Sequence, residues 1–184
     1  MIPKESVKIV YTGEGKGKTG AGLGLVCRAL GAGHNVAFIQ FIKKWQVSED
    51  KFFTTVQPLY KNKLTTYKGG LGFYNAGKLS AKNISCDEHK RAALDTLAFA
   101  LECASSGKYD LVVCDEINNA VHDGLIKLQD VRKLLSSTHV KTSICLTGRD
   151  FPVPLIKYVD IISDIHKVKH HYDEGSIAKS GIDY

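Results

Sequence analysis

The sequence has no uninterrupted run of about 18 apolar residues, so we expect no helix that spans a membrane. The N-terminal stretch MIPKESVKIV lacks the long apolar segment of a secretory signal and leads at once into a strand-like segment. An RNP-type aromatic motif and a long basic arm are also absent, so nothing points to nucleic acid. We therefore expect a cytoplasmic protein that binds neither membranes nor nucleic acid.

Cysteine is scarce, with five residues and no C-x-x-C, and most of the five lie in apolar segments. This pattern is typical of buried thiols in a reducing compartment rather than of disulfides. Cys86 and His89 are spaced to share one face of a helix, but no second pair of ligands accompanies them, and we predict no zinc site. His170 and His171 should point in opposite directions along an extended segment, which makes them poor joint ligands.

The composition favours one domain, 1–184, because 184 residues of which 43% are hydrophobic can bury a substantial core. Alternating apolar runs and glycines predict strands at 8–12, 36–42, 64–67, 111–114, 143–146 and 160–165, with helices at 18–32, 85–106 and 128–136 and a short one after Pro154. Residues 43–80 are less regular, and GGLGFYNAGK at 69–78 is expected to be flexible. The alternation predicts an α/β fold, a three-layer sandwich with a mostly parallel sheet.

Glycine is concentrated between the first strand and the first helix, in GEGKGKT at 13–19. The usual phosphate-binding loop has a glycine, four free positions and then Gly-Lys-Ser/Thr, whereas here Thr12 occupies the first position. We expect the loop's backbone N–H groups to point inward and the helix N-terminus to favour an anion. Lys18 would add a charge and the Thr19 hydroxyl would ligate Mg²⁺, while Lys16 either contacts phosphate or is solvated.

Charged residues follow two of the predicted strands. Asp115 and Glu116 follow four apolar residues and should lie at the edge where open α/β sheets bind ligands. One carboxylate can hold Mg²⁺ while the other positions a group nearby; the alternative is a helix-capping Asp followed by a surface Glu. Arg149 should lie on the same edge, either against phosphate or as a plain surface residue. The formal net charge of +6 favours anionic ligands without identifying them.

Together these segments resemble the ATP:corrinoid adenosyltransferases of cobalamin synthesis and salvage, which are built on a P-loop fold of the RecA-like type. That family's loop reads GNGKGKTT, beside GEGKGKTG at 13–20 in this chain. The resemblance covers nearly the whole chain, through NVAFIQFIKKW (35–45), GLGF (70–73), YDLVVCDEINNAVHDGLI (109–126), LTGRDFP (146–152) and VKHHYDEGSIAKSGIDY (168–184).

The resemblance implies transfer of the 5′-deoxyadenosyl group of ATP to the Co(I) centre of a corrinoid, with release of triphosphate. It also implies that the short loop binds ATP in a reversed sense and holds the departing triphosphate. A homodimer, Mg²⁺ and a reductase such as a flavodoxin-type electron donor are further implications. Two alternatives stay open: a conventional P-loop ATPase or kinase, and a non-catalytic carrier of a corrinoid or nucleotide.

Carried over by position, the resemblance makes Lys18, Thr19 and Phe73 the catalytic residues. Phe73 would pack against the corrin and help displace its lower axial ligand, which makes Co(II) easier to reduce; a core anchor is the alternative. Thr19 and Glu116 would bind Mg²⁺, with Asp115 in support. The nucleotide would be bound by Gly13, Glu14, Gly15, Lys16, Gly17, Lys18, Thr19, Gly20 and Arg149.

Two positions depart from the family pattern. Asn75 stands where the family often has a tryptophan, so Tyr74 or Trp45 could take over displacement of the lower ligand. Gly20 replaces the second threonine of the loop and removes a hydroxyl near phosphate. Neither departure affects the lysine of the loop or the predicted metal ligands.

Overall fold

The computed structural model describes residues 5–60, 62–72, 74 and 84–183 of the chain. The strands are β1 (Lys8–Thr12), β2 (Val36–Gln40), β3 (Leu64–Lys68), β4 (Leu111–Asp115), β5 (Ser143–Thr147) and β6 (Ile161–Asp164). They form one sheet in the order β3-β2-β4-β5-β1-β6, and each neighbouring pair is parallel. All six strands therefore end at the same edge of the sheet.

Five helices connect the strands within the described residues. They are α1 (Lys18–Gly31), α2 (Ser48–Val56), α3 (Cys86–Ser105), α4 (Ile117–His122) and α5 (Leu128–Ser137), and shorter 3₁₀ turns cover Gln57–Tyr60, Val153–Tyr158 and His171–Glu174. Across these ranges, no helix is both long and apolar enough to cross a bilayer.

Two hydrophobic cores lie on opposite faces of the sheet, because side chains alternate along each strand. Phe38 of β2 packs with α1 and α2, whereas Ile39 beside it packs with α3, α4 and α5. The same alternation separates Val113 from Cys114 on β4. The predicted three-layer α/β sandwich is confirmed, and the sheet is parallel throughout the described strands.

Helix α3 begins as its sequence predicts, with the S-x-x-E pattern of a capping box. The Ser85 hydroxyl accepts a hydrogen bond from the Glu88 backbone N–H at 3.2 Å, and the Glu88 carboxylate accepts one from the Ser85 N–H at 2.7 Å. These bonds satisfy two donors at the helix start that have no partner inside the helix. The cysteines are all free, and Cys103, Cys114 and Cys145 are buried, as expected for thiols in apolar segments.

Two helices were not predicted from the sequence. Helix α2 buries only Phe53, so its apolar periodicity is too weak to show in the sequence. Helix α4 follows β4 after a single residue, and its polar Asn118 is buried. The segment expected to be flexible is held closely over its first part, where the Gly69 N–H donates to Gln40 O at 3.1 Å and the Gly72 N–H to Ile42 O at 2.9 Å.

Shortening a buried side chain of α5 tests this packing. Leu134 on α5 is fully buried, so Leu134→Ala should lower the free energy of unfolding by about 2–5 kcal/mol through lost burial and a residual cavity. Denaturant unfolding followed by circular dichroism measures the loss. Leu59→Ala is the control, because Leu59 is 75% exposed, and equal losses in the two variants would contradict the assigned core.

Candidate functional site

Three neighbouring strands bring the predicted site residues together at one edge of the sheet. β5 lies between β1 and β4. The glycine loop 13–17 follows β1. Asp115 is the last residue of β4 and Glu116 comes directly after it, while Arg149 follows β5. Residues distant in sequence therefore meet because parallel strands end together.

The loop and the start of α1 form a cluster of free backbone donors. Among the described residues, no acceptor faces the N–H groups of residues 16–20. A Cβ placed on Gly17 or Gly20 would meet no atom within 4 Å, so this side of the loop is open. Free N–H groups at a helix N-terminus are a ready anion site, and this arrangement suits a phosphate chain.

The first two glycines of the loop have a different role. Gly13 has a φ of 100°, which an L side chain rarely adopts, and a Cβ there would strike Asp164. A Cβ on Gly15 would lie 2.6 Å from Ile165 O. The Gly15 N–H donates to that same oxygen at 2.6 Å, so the expectation that the loop's N–H groups all point inward is wrong at Gly15.

The Lys18 ammonium folds back onto the loop. Its Nζ donates to Gly13 O and Gly15 O, both at 2.7 Å. Burial, and next the charge of Arg149, lower the pKa of Lys18. The ammonium therefore lies among the loop carbonyls, next to the free N–H groups.

The Asp115 carboxylate joins four segments of the chain at the centre of the site. Its Oδ1 accepts hydrogen bonds from Thr19 Oγ1 at 2.9 Å and Thr147 Oγ1 at 2.7 Å. Its Oδ2 accepts from Gln40 Nε2 and Lys43 Nζ, both at 3.3 Å. The side chain is fully buried, and these four donors supply the compensation that a buried charge requires.

Glu116 stands beside this network in an unusual backbone conformation. Its φ is 65°, a left-handed value that costs energy for a residue other than glycine and is concentrated at functional sites. Its N–H donates to Thr147 Oγ1 at 3.0 Å, but no described residue donates to its carboxylate. Burial, and next the charge of Asp115, raise the pKa of Glu116 to about 7. The carboxylate is thus available to an external cation.

The segment after β5 is held by two asparagines of α4. Asn118 Nδ2 donates to Gly148 O at 3.2 Å, and the Arg149 N–H donates to Asn119 Oδ1 at 2.8 Å. These bonds direct Arg149 towards the glycine loop, where its Nε lies 3.8 Å from Glu14 Oε2. Both side chains are more than half exposed, so this ion pair contributes little stability and leaves Arg149 accessible to a ligand.

Sequence reasoning assigned no role to several residues of this site. Thr147 hydrogen-bonds both the Asp115 carboxylate and the Glu116 backbone N–H. The feature of the sequence that could have indicated this role is a threonine at the end of a buried strand. Lys43 follows β2 and pairs with Asp115 and with Glu49 at 3.2 Å. Burial by itself would lower the pKa of Lys43, but the charges of Asp115 and Glu49 prevail and raise it, so the side chain is a cation. Only the strand order reveals that Lys43 reaches Asp115.

The C-terminal histidines differ from the sequence-based expectation. The rings of His170 and His171 have centroids 4.7 Å apart, so the prediction that they diverge is wrong; a 3₁₀ turn begins at His171. Within the described ranges, one group of three could share a metal ion, His170, His171 and Asp183. Asp183 is already bonded to Lys16 at 2.7 Å.

The predicted corrin contact is only partly described. Phe73 and Asn75 lie outside the described residues. Of the two proposed substitutes for the family tryptophan, Trp45 is 40% exposed and Tyr74 has its ring 5.3 Å from that of His89. His89 is buried at the start of α3, and burial lowers its pKa.

Comparisons with known proteins point to one family. The model of the family ATP:corrinoid adenosyltransferase BtuR/CobO/CobP matches residues 4–184. Corrinoid adenosyltransferase CobA of Salmonella typhimurium is 31% identical over 189 residues, covering 98% of this chain and 87% of that protein. The corrinoid adenosyltransferase of Escherichia coli K12 is 30% identical over 188 residues with the same coverage. A solved DNA replication initiation factor has a TM-score of 0.42 and 12% identity, over 87% of this chain and 40% of its own.

The raised pKa of Glu116 predicts a pH-dependent stability. Between its ordinary value of 4.5 and about 7, the folded protein holds a proton that the unfolded chain does not. The resulting stabilisation is complete below the lower value and is lost as pH rises through 7. Glu116→Gln removes this titration. Relative to the original protein, the variant should gain on the order of 2 kcal/mol of unfolding free energy between about pH 5 and pH 8.

Denaturant unfolding at the two pH values, without nucleotide or metal ion, measures this gain. Glu102→Gln, on the exposed side of α3, is the matched control. A stability difference between Glu116→Gln and the original protein that stays constant with pH would contradict the assigned environment of Glu116.

Proposed function

The chain belongs to the ATP:corrinoid adenosyltransferase family, and we propose that it transfers the 5′-deoxyadenosyl group of ATP to the Co(I) centre of a corrinoid and releases triphosphate. The observation that carries this proposal is the family match over residues 4–184, with curated relatives similar over 98% of the chain. The chain is therefore assigned as an enzyme of this class. Its site contains groups suited to each part of the reaction.

We assign the triphosphate to the glycine loop and the start of α1. The free N–H groups of residues 16–20 offer five donors, and the Lys18 ammonium lies beside them. Such donors hold negative charge without having to reorganise, and charge grows on the triphosphate as its bond to carbon breaks. Gly13, Glu14 and Arg149 complete the proposed nucleotide site. The proximity of Arg149 to Glu14 supports a role for both at the open side of the loop.

We assign Mg²⁺ to Thr19 and Glu116, with Asp115 in a supporting role. The residues fit this ion, because Mg²⁺ prefers oxygen ligands and the Glu116 carboxylate has no donor among the described residues. Both oxygens of Asp115 are already engaged, so its part is to orient the Thr19 hydroxyl. When bound, Mg²⁺ would neutralise charge on the departing triphosphate.

The chemical step needs alignment more than it needs proton transfer. The electron pair of Co(I) forms a bond to C5′ of ATP, the bond from C5′ to the α-phosphate oxygen breaks, and its electrons leave with the triphosphate. No proton moves, so no general base is needed. Positioning of reacting groups in line can contribute about 7–11 kcal/mol to such a step. Phe73 is proposed as the aromatic contact of the corrin.

Lys18 and Asp115 by themselves would also suit cleavage at the γ-phosphate, as in an ATPase or kinase. Both activities need a phosphate cradle, a lysine and a hydroxyl beside a carboxylate. The family match separates them, because it extends far beyond the loop to the end of the chain.

We further propose that residues 1–184 act as one domain and that the enzyme is a cytoplasmic homodimer. The described cysteines are free, which suits a reducing compartment. Formation of Co(I) requires an electron donor, and a flavodoxin-type reductase is the proposed partner. Neither a membrane nor a nucleic acid has a role in this reaction.

Anaerobic incubation with ATP, Mg²⁺ and chemically reduced cobalamin tests the proposed function. We expect a cobalt–carbon absorption spectrum and triphosphate in equal molar amounts. ADP and phosphate without a cobalt–carbon bond would instead identify an ATPase. Tight binding of corrinoid without turnover, even with a strong reductant present, would identify a carrier.

The loop lysine should be essential to transfer. Lys18→Ala is expected to abolish transfer while corrinoid binding largely survives, because the ammonium lies in the phosphate cradle and not in the predicted corrin contact. Single-turnover transfer and corrinoid binding measure the two effects separately. Lys51→Ala, an exposed position on α2, is the control. Near-normal transfer by Lys18→Ala at saturating ATP would contradict the assignment.

A further inference from the structure

The C-terminal segment, residues 165–183, contacts the glycine loop at two separate places. At the first, Ile165 O accepts the Gly15 N–H at 2.6 Å. At the second, Asp183 receives the Lys16 ammonium at 2.7 Å on Oδ1, with a further contact at 3.3 Å to its backbone oxygen. More than 140 residues separate the partners of each contact in the sequence, so both depend on how the chain folds back.

Further contacts fix the position of the Asp183 carboxylate. Its other carboxylate oxygen accepts the Lys179 N–H at 2.7 Å and lies 3.4 Å from His171 Nε2. The side chain is only 6% exposed. The Lys16 hydrogen bond, followed by the Lys179 N–H, lowers the pKa of Asp183 to about 2, so the carboxylate is ionised at any working pH.

The two lysines of the loop are thus committed to different partners. Lys18 bonds to the carbonyls of Gly13 and Gly15, whereas Lys16 bonds to the C-terminal segment. The N–H of Lys16 is one of the five free donors. A tether on the Lys16 side chain therefore restrains the backbone at the first of these donors.

We propose that Asp183 is a positioning residue of the triphosphate site, which holds the glycine loop through Lys16 in the conformation that binds phosphate. Glycines make the loop easy to deform, and a flexible loop loses conformational entropy when it binds. Restraint by Asp183 and Ile165 lowers that cost in advance. The inference rests on the proposed function in taking a triphosphate as the ligand, and it adds the C-terminal segment to that site.

The sign of two mutational effects distinguishes positioning from simple charge. Asp183→Asn removes a negative charge near the phosphates and Lys16→Met removes a positive one, so long-range electrostatics would move the affinity for triphosphate in opposite directions. Loss of the tether would instead weaken binding in both variants. We expect each to weaken binding of inorganic tripolyphosphate and of ATP by roughly 2- to 5-fold, the range of a partly exposed ion pair.

Calorimetric titration of the full chain with tripolyphosphate and with ATP measures these affinities, and thermal unfolding confirms that each variant folds. The double variant should bind no more weakly than the worse single one, since both remove the same contact. In adenosyl transfer the effect should fall mainly on KM for ATP. Glu174→Gln, which breaks the exposed Lys169–Glu174 pair at 2.8 Å in the same segment, is the matched control.

Tighter binding by Asp183→Asn would overturn the proposal, because Asp183 would then compete with phosphate for Lys16. Unchanged affinities in both single variants, or additive losses in the double variant, would also overturn it. If Asp183→Asn does not fold, Asp183→Ser removes the same charge in its place, with unchanged or tighter binding of tripolyphosphate as the contrary result. These binding measurements need no corrinoid, so a failure of the proposed adenosyl transfer would be seen separately.

Discussion

The Asp115 carboxylate is the interaction on which the site depends. It is fully buried, and it receives hydrogen bonds from Thr19, Thr147, Gln40 and Lys43. These donors come from α1, β5, β2 and the segment after β2, so one side chain of β4 ties the start of α1 to strands β2 and β5. An isolated buried charge would be very unfavourable, and the network is stable only when its members are in place together.

The two adjacent carboxylates therefore have different roles. Asp115 has both oxygens engaged and acts as structure, whereas Glu116 has a strained backbone and a carboxylate without a donor among the described residues. The charge of Asp115 helps to raise the pKa of its neighbour. The glycines of the loop also have two different roles. Gly13 and Gly15 allow close packing on the C-terminal segment, and Gly17 borders the open side.

Local patterns in the sequence predicted most of the elements. Each of the six strands was recognisable as an apolar run, and Ser85 with Glu88 marked the start of α3. Helix α2 escaped because it buries a single side chain and so leaves little periodicity. The divergence expected of His170 and His171 failed because a 3₁₀ turn, not an extended segment, follows. Such outcomes depend on packing against distant residues, which a local pattern does not contain.

The sequence by itself determined the glycine loop, the Asp115–Glu116 pair and the alternation of the six strands with helices α1, α3 and α5, because spacing, turn residues and hydrophobic runs act over a few neighbouring positions. The family resemblance was also legible in its motifs. Only the tertiary structure decided which donors surround Asp115, which loop N–H groups stay free, and that Asp183 reaches Lys16. Those contacts join residues far apart in the chain, and their distances are set by strand order and by the return of the C-terminal segment.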